Sequence, residues 1–151
     1  NTKTKFVQDN ISSSKKNVLR GLHFQLAPKE QGKLVSVLSG SIYDVIVDLR
    51  LNSSNFSNWA GINLNEENKN QLWVPKGFAH GFFTLSSIAV VQYKVTNYWS
   101  QSLERSLRWD DDTINIKWPM KDKNLLGPII SKKDKEASSL NQLRNLNEVF
   151  E

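Results

Sequence analysis

The chain has 151 residues, of which 38% are hydrophobic and 23% charged, a length and balance that suit one globular domain with its own core and exclude a disordered or fibrous chain. Its net charge is +5 and it has no cysteine, which excludes disulfides, thiolate metal sites and a cysteine nucleophile and agrees with a reducing, cytoplasmic setting. No apolar run approaches the roughly 18 residues of a spanning helix, so no membrane partner is expected.

Strand-like segments dominate the middle of the chain. Lys33-Leu-Val-Ser-Val-Leu-Ser39 runs into Gly40-Ser41, a hairpin-type turn signal. Ile42 to Arg50 alternates, with Tyr43, Val45, Val47 and Leu49 on an apolar face and Ile42, Asp44, Ile46, Asp48 and Arg50 opposite, the pattern of a half-buried strand. Asp48 and Arg50 are spaced for a structural ion pair. After the polar loop Asn52-Ser-Ser-Asn55 comes a short strand, Trp59 to Leu64, then the loop 65–70. Gln71-Leu-Trp-Val74 stops at the turn Pro75-Lys-Gly77, and Gly81 to Leu85 and Ala89 to Val95 read as a hairpin across Ser86-Ser87. Beyond Tyr98 the pattern changes, and Asp110-Asp-Asp112 and Trp118-Pro119 read as irregular. Ser138 or Ser139 is an N-cap for a short helix in which Leu140, Leu143 and Leu146 fall on adjacent turns and would cover one end of a barrel. Short strands with brief turns and no intervening helices predict an all-β sandwich or barrel over 1–151 with a short C-terminal helix.

The densest lysines, at 121–135, are interleaved with Asp122 and Asp134, which reads as a solvated segment rather than a stripe that tracks phosphates; nucleic acid is not an expected partner. A modest positive field suits a small anionic substrate. The start, Asn1-Thr-Lys-Thr-Lys5, has neither a methionine nor a hydrophobic signal core, and the chain is expected to begin inside a longer product.

Only two histidines occur, and both stand in dense motifs: His23 in Val18-Leu-Arg-Gly-Leu-His-Phe-Gln25, and His80 in Trp73-Val-Pro-Lys-Gly-Phe-Ala-His-Gly-Phe82. Imidazole titrates nearest neutrality and is the usual acid–base group. From the residues alone, a hydrogen-bonded core histidine and a catalytic base stand level for His23. Phe24-Gln25 follows His23, so no His-x-His ligand cluster is present, and two histidines without cysteine make a poor transition-metal site. Gly21, Gly32 and Gly40 are isolated, so no dinucleotide-binding loop is present. No metal or other cofactor is expected.

Together with Phe6-Val-Gln-Asp-Asn10, Gln31-Gly-Lys-Leu-Val35, Gly40 to Arg50, Tyr93-Lys94, Arg108-Trp-Asp110, Trp118-Pro119 and Ser131-Lys-Lys-Asp134, these motifs resemble the dTDP-4-dehydrorhamnose 3,5-epimerases across nearly the whole chain. The resemblance implies a cupin-type jelly roll and a cofactor-independent homodimer that epimerises a nucleotide-linked 4-keto sugar in the dTDP-rhamnose pathway. Related readings are an epimerase acting at C3 or C5 alone on another such sugar, and a non-catalytic cupin that binds carbohydrate. Family members carry a further N-terminal segment before Phe6, with substrate-contacting arginine and glutamate, and often histidine where Ile11 stands.

Epimerisation beside a ketone removes a carbon-bound proton and returns one to the opposite face, so it needs a base, an acid across the ring and a donor or cation for the enolate oxygen. The resemblance implies His23 as base, Asp134 as the carboxylate that orients it and favours its cation, and Tyr93 as acid, with Tyr98 a rival. Lys33 is the candidate enolate stabiliser, although a strand-edge lysine guarding against aggregation has the same pattern. His80 would donate toward the sugar and Arg20 would grip the diphosphate with its guanidinium fork. Gln8, Asn10 and Glu104 resemble further substrate contacts, and Trp99 would stack on the nucleotide base.

Overall fold

A computed structural model describes residues 4–120 and 127–151. Among them are nine strands and two short helices: β1 (Gln8–Lys15), β2 (Leu19–Gln25), β3 (Lys33–Ser39), β4 (Ser41–Asp48), β5 (Trp59–Asn65), β6 (Gln71–Val74), β7 (Phe78–Thr84), β8 (Ile88–Val95), β9 (Glu104–Ser106), α1 (Lys132–Lys135) and α2 (Leu140–Asn145). They form a four-stranded antiparallel sheet in the order β1-β8-β3-β6 and a five-stranded one in the order β5-β4-β7-β2-β9. Part of the lysine-rich stretch at 121–135, and the first three residues, lie outside the described residues. No helix among the described residues is long and apolar enough to cross a membrane.

Two expected hairpins are not hairpins. β3 and β4 lie in different sheets, as do β7 and β8. Glycine and serine mark where a chain bends, but not whether it returns beside itself or crosses to the facing sheet. The two crossings are tied together: Ser41 N–H donates to Ser86 Oγ at 2.9 Å, and Leu85 N–H donates to Ser41 O at 3.0 Å. Gly40 sits at φ +78°, and a Cβ there would strike the backbone of Ile88 and Ala89, so only glycine fits this corner. Apart from the β4–β5 pair, successive strands alternate between the two sheets, which is the jelly-roll pattern.

β4 is buried on both faces rather than half-buried. Val45 and Val47 face one core, while Ile42, Asp44 and Asp48 face the other sheet, all at 1% exposure or less. The inter-sheet core joins Val35, Val37, Ala89 and Val91 to Ile42, Leu64, Val74 and Phe82. A second core lies on the outer face of the five-stranded sheet, where Leu22, Phe24, Val45 and Val47 meet Leu107, Ile114, Leu140 and Leu143 from the C-terminal part of the chain. The terminal helix therefore covers the back of a sheet, not a barrel end. Ser139 caps it, its hydroxyl accepting from Gln142 N–H while the Gln142 side chain accepts from Ser139 N–H. Buried Asp111, in the stretch read as irregular, accepts from Leu140 N–H at 2.8 Å and from Thr113 N–H at 2.9 Å. Leu146 is 63% exposed because the helix ends at Asn145 and its chain turns away.

Leu143→Ala is expected to cost about 3 kcal/mol of stability, as deletion of a buried leucine does elsewhere. Because this core lies behind the five-stranded sheet, KM for substrate should stay within twofold. Urea unfolding alongside steady-state kinetics checks both.

Candidate active site

The inner face of the sandwich is apolar at one end and polar at the other. Along β8 the inward positions Ala89 and Val91 are followed by Tyr93, and along β3 Lys33 precedes Val35 and Val37. β1 has the reverse of an ordinary amphipathic pattern. Its inward Gln8, Asn10 and Ser12 line a cavity, while Ile11 is 64% exposed. The polar end opens as a cavity of about 880 Å³.

His23 (β2), Lys33 (β3), His80 (β7), Tyr93 (β8), Trp99, Glu104 (β9), Asp134 (α1), Gln8, Asn10 and Arg20 all line this cavity, so these ten residues singled out from the sequence are brought to one place. Tyr98 is 61% exposed and does not line it. The two histidine motifs meet directly, since His23 pairs with His80 across β2 and β7. Two glycines make this approach possible: a Cβ on Gly21, which sits at φ +111°, would lie 2.6 Å from the Gly81 Cα and 2.7 Å from the His80 carbonyl oxygen. Arg20-Gly-Leu-His and Ala-His-Gly are thus two halves of one backbone contact.

His23 Nε2 lies 2.6 Å from Asp134 Oδ1, across 111 residues of sequence. A carboxylate cannot donate, so the ring carries its proton on Nε2 and the neutral imidazole keeps its lone pair on Nδ1. Ser131 holds the carboxylate in turn, donating from Oγ to Asp134 Oδ2 at 2.9 Å, and the same Oγ caps α1 by accepting from Asp134 N–H. Burial alone would push the Asp134 carboxyl up, but the bonds from His23 and Ser131 hold it below the ordinary carboxylate range. His23 departs from expectation. Burial lowers its pKa below 6.5 and outweighs the bond and charge of Asp134, while Lys133 and Lys33 lower it further. The ring is therefore neutral at neutral pH and able to accept a proton.

Burial also brings Lys33 down to about 8, against the carboxylates of Glu104 and Asp44. Its Nζ donates to the His23 carbonyl at 3.2 Å. Burial raises the Tyr93 phenol above 10, against the nearby Arg20 charge, so it stays protonated. Burial would raise the Glu104 carboxyl, but the bond and charge of Lys133, joined by Trp99 and His23, together keep it low.

Three contributors escaped the sequence reading. Asp44, fully buried, lies 2.6 Å from His80 Nε2 through Oδ1. Lys133, beside Asp134 in a motif already noted, lines the cavity, and so does Gln31. The signal for Asp44 was its place among inward Ile42 and Ile46 on β4, a position where a carboxylate needs a partner. The Asp48–Arg50 ion pair forms as expected, Arg50 donating from Nη2 to Asp48 Oδ2 at 2.7 Å and from Nε to Oδ1 at 2.9 Å. Among the described residues, no group of three or more histidine, cysteine, aspartate or glutamate side chains is placed to hold a metal ion.

Residues 1–142 match the family model described as dTDP-4-dehydrorhamnose 3,5-epimerase. The Salmonella typhimurium protein of that name is 54% identical over 140 residues, covering 93% of this chain and 74% of that protein. The Escherichia coli protein is 50% identical over 141 residues, with coverage of 93% and 74%. The crystal structure of dTDP-6-deoxy-D-glucose-3,5-epimerase from Legionella pneumophila in complex with dTDP-4-keto-L-rhamnose superposes with a TM-score of 0.89 at 46% identity, over 97% of this chain and 75% of that one.

The His23 imidazole is expected to titrate below pH 6.5, and Asp134→Asn should lower its midpoint further, because both contributions of Asp134 raise it. Proton NMR titration of the ring reads this, and an upward move would contradict the assigned pairing.

Proposed function

The chain belongs to the dTDP-4-dehydrorhamnose 3,5-epimerase family, and from that premise we propose how its cavity epimerises dTDP-4-dehydro-6-deoxyglucose at C3 and C5. The observation that carries the proposal is that a neutral imidazole oriented by a carboxylate shares one cavity with a protonated phenol and a buried lysine.

His23 takes the proton from the carbon beside the C4 ketone through Nδ1. The C–H electron pair moves into the ring as the C4 oxygen becomes an enolate. The resulting imidazolium is stabilised by Asp134, which accepts from Nε2–H. Lys33 supplies positive charge toward the enolate oxygen, where a preorganised cation acts most strongly, while His80, its Nε2–H committed to Asp44, lines the cavity beside it. Tyr93 gives its phenolic proton to the opposite face of the same carbon, which inverts it. Solvent then reprotonates the phenolate and takes the proton from His23, and a second round treats the other carbon. Arg20, exposed at the rim, holds the diphosphate, with Gln8, Asn10 and Glu104 on the nucleotide and sugar and Trp99 stacked at the mouth. Lys133, which pairs with Glu104, joins this set. The reaction needs no cofactor in this scheme.

We further place the chain as one cupin-like domain of a cytoplasmic homodimer. Ile11, Leu38 and Ile88, exposed on the four-stranded sheet, support a second copy at that face.

Incubation with dTDP-4-dehydro-6-deoxyglucose in heavy water, followed by NMR, should show deuterium entering at C3 and C5. His23→Ala should abolish the exchange, and retained exchange would remove His23 as base. Tyr93→Phe should block completed inversion while permitting partial exchange. The pH profile of kcat/KM should rise through a limb below pH 6.5 as His23 becomes neutral, and fall near pH 8 as Lys33 loses its charge. Lys33→Met should abolish the upper limb and lower kcat by about 10²-fold, the scale of losing one enolate donor.

A further inference from the structure

Gln25 ends the Arg20-Gly-Leu-His-Phe-Gln25 motif, yet it does not line the cavity. It is 3% exposed, and its amide is fully used. Oε1 accepts from Ser100 N–H at 2.7 Å, while Nε2 donates to the Lys29 carbonyl at 2.6 Å and to the Tyr98 carbonyl at 3.3 Å. Two of these partners are the residues on either side of Trp99. The indole itself is 55% exposed, so packing does not fix it. Its backbone N–H donates to Gln8 Oε1 at 3.3 Å, and Gln8 Nε2 donates in turn to Asn10 Oδ1 at 2.8 Å. Glu104, opposite Gln25 in the β2–β9 register, faces the indole N–H and is paired with Lys133.

We propose that Gln25 is the positioning residue that holds Trp99 over the cavity mouth, ready to cover a bound nucleotide-linked sugar; this rests on the cavity being the nucleotide-sugar site. A large side chain presented in one orientation binds without the entropy of first being ordered. Gln25 therefore acts on binding, through Trp99, and leaves the groups that move protons in place.

The test uses Gln25→Met in the full chain, with Trp99→Phe to assign the Trp99 indole signal. The heteronuclear NOE of that indole N–H should drop in Gln25→Met. KM should rise about tenfold with kcat within twofold, and dTDP should bind correspondingly more weakly. On a Trp99→Ala background, Gln25→Met should change KM by less than twofold. A rigid indole in Gln25→Met, or the same KM factor on both backgrounds, overturns the proposal. Should Gln25→Met fail to fold, near-isosteric Gln25→Glu keeps the acceptor for Ser100 and loses both donations; an indole as rigid as in the unsubstituted chain then overturns it equally. An unsubstituted chain that neither binds dTDP nor exchanges substrate protons overturns the catalytic reading alone, and the indole comparison still decides whether Gln25 orders the ring.

Discussion

A carboxylate can stay ionised in a wall of packed side chains only where donors or cations meet it, because its lost hydration must be replaced. Asp134 and Asp44 are both in that position, at 3% and 0% exposure, and each is met by an imidazole at 2.6 Å. The pairing settles the chemistry available to the rings. Each carries a proton on Nε2 and keeps its other nitrogen for something else. Burial holds the His23 ring neutral, and the charges of Lys133 and Lys33 act in the same direction while keeping the region attractive to an anionic substrate. Burial and the charges set against it, more than any single residue, put a neutral imidazole, a protonated phenol and a lysine in one cavity.

The jelly roll supplies the geometry for that balance. Since successive strands, β4 and β5 excepted, alternate between sheets, each sheet contributes an inward row, and residues from 8 to 134 converge on one space. Packed valines and phenylalanines close one end, and the same rows turn polar at the other. The glycine contact between β2 and β7 brings both histidines to neighbouring positions without a side chain intervening.

Much of this was legible in the residues. β3 to β8 followed from alternation and turn chemistry, and the α2 cap from Ser139. β1 was not, since its inward face is Gln8, Asn10, Ser12 and Ser14; a strand that lines a wet cavity inverts the usual pattern. β9 is only Glu104–Ser106, too short to show a period, and α1 is a single capped turn. Strand partners were misread because a Ser-Gly-Ser link bends a chain without naming its destination. The site residues came through family motifs rather than spacing, and the pairing of Asp44 with His80 was not read because the two lie 36 residues apart on different strands. The direction of the His23 shift needed three dimensions: a nearby carboxylate is visible in a motif, whereas the depth of burial that outweighs it is not.

The imidazole and the carboxylate that orients it are separated by almost the full run of the strands. A nascent chain leaving the ribosome can lay down all nine described strands before Ser131 to Asp134 has been translated. The His23–Asp134 pair is therefore completed only after the described strands are in place. Proteolytic nicking after Ser106 that released the C-terminal part would strip His23 of its carboxylate, although every described strand lies upstream of the cut.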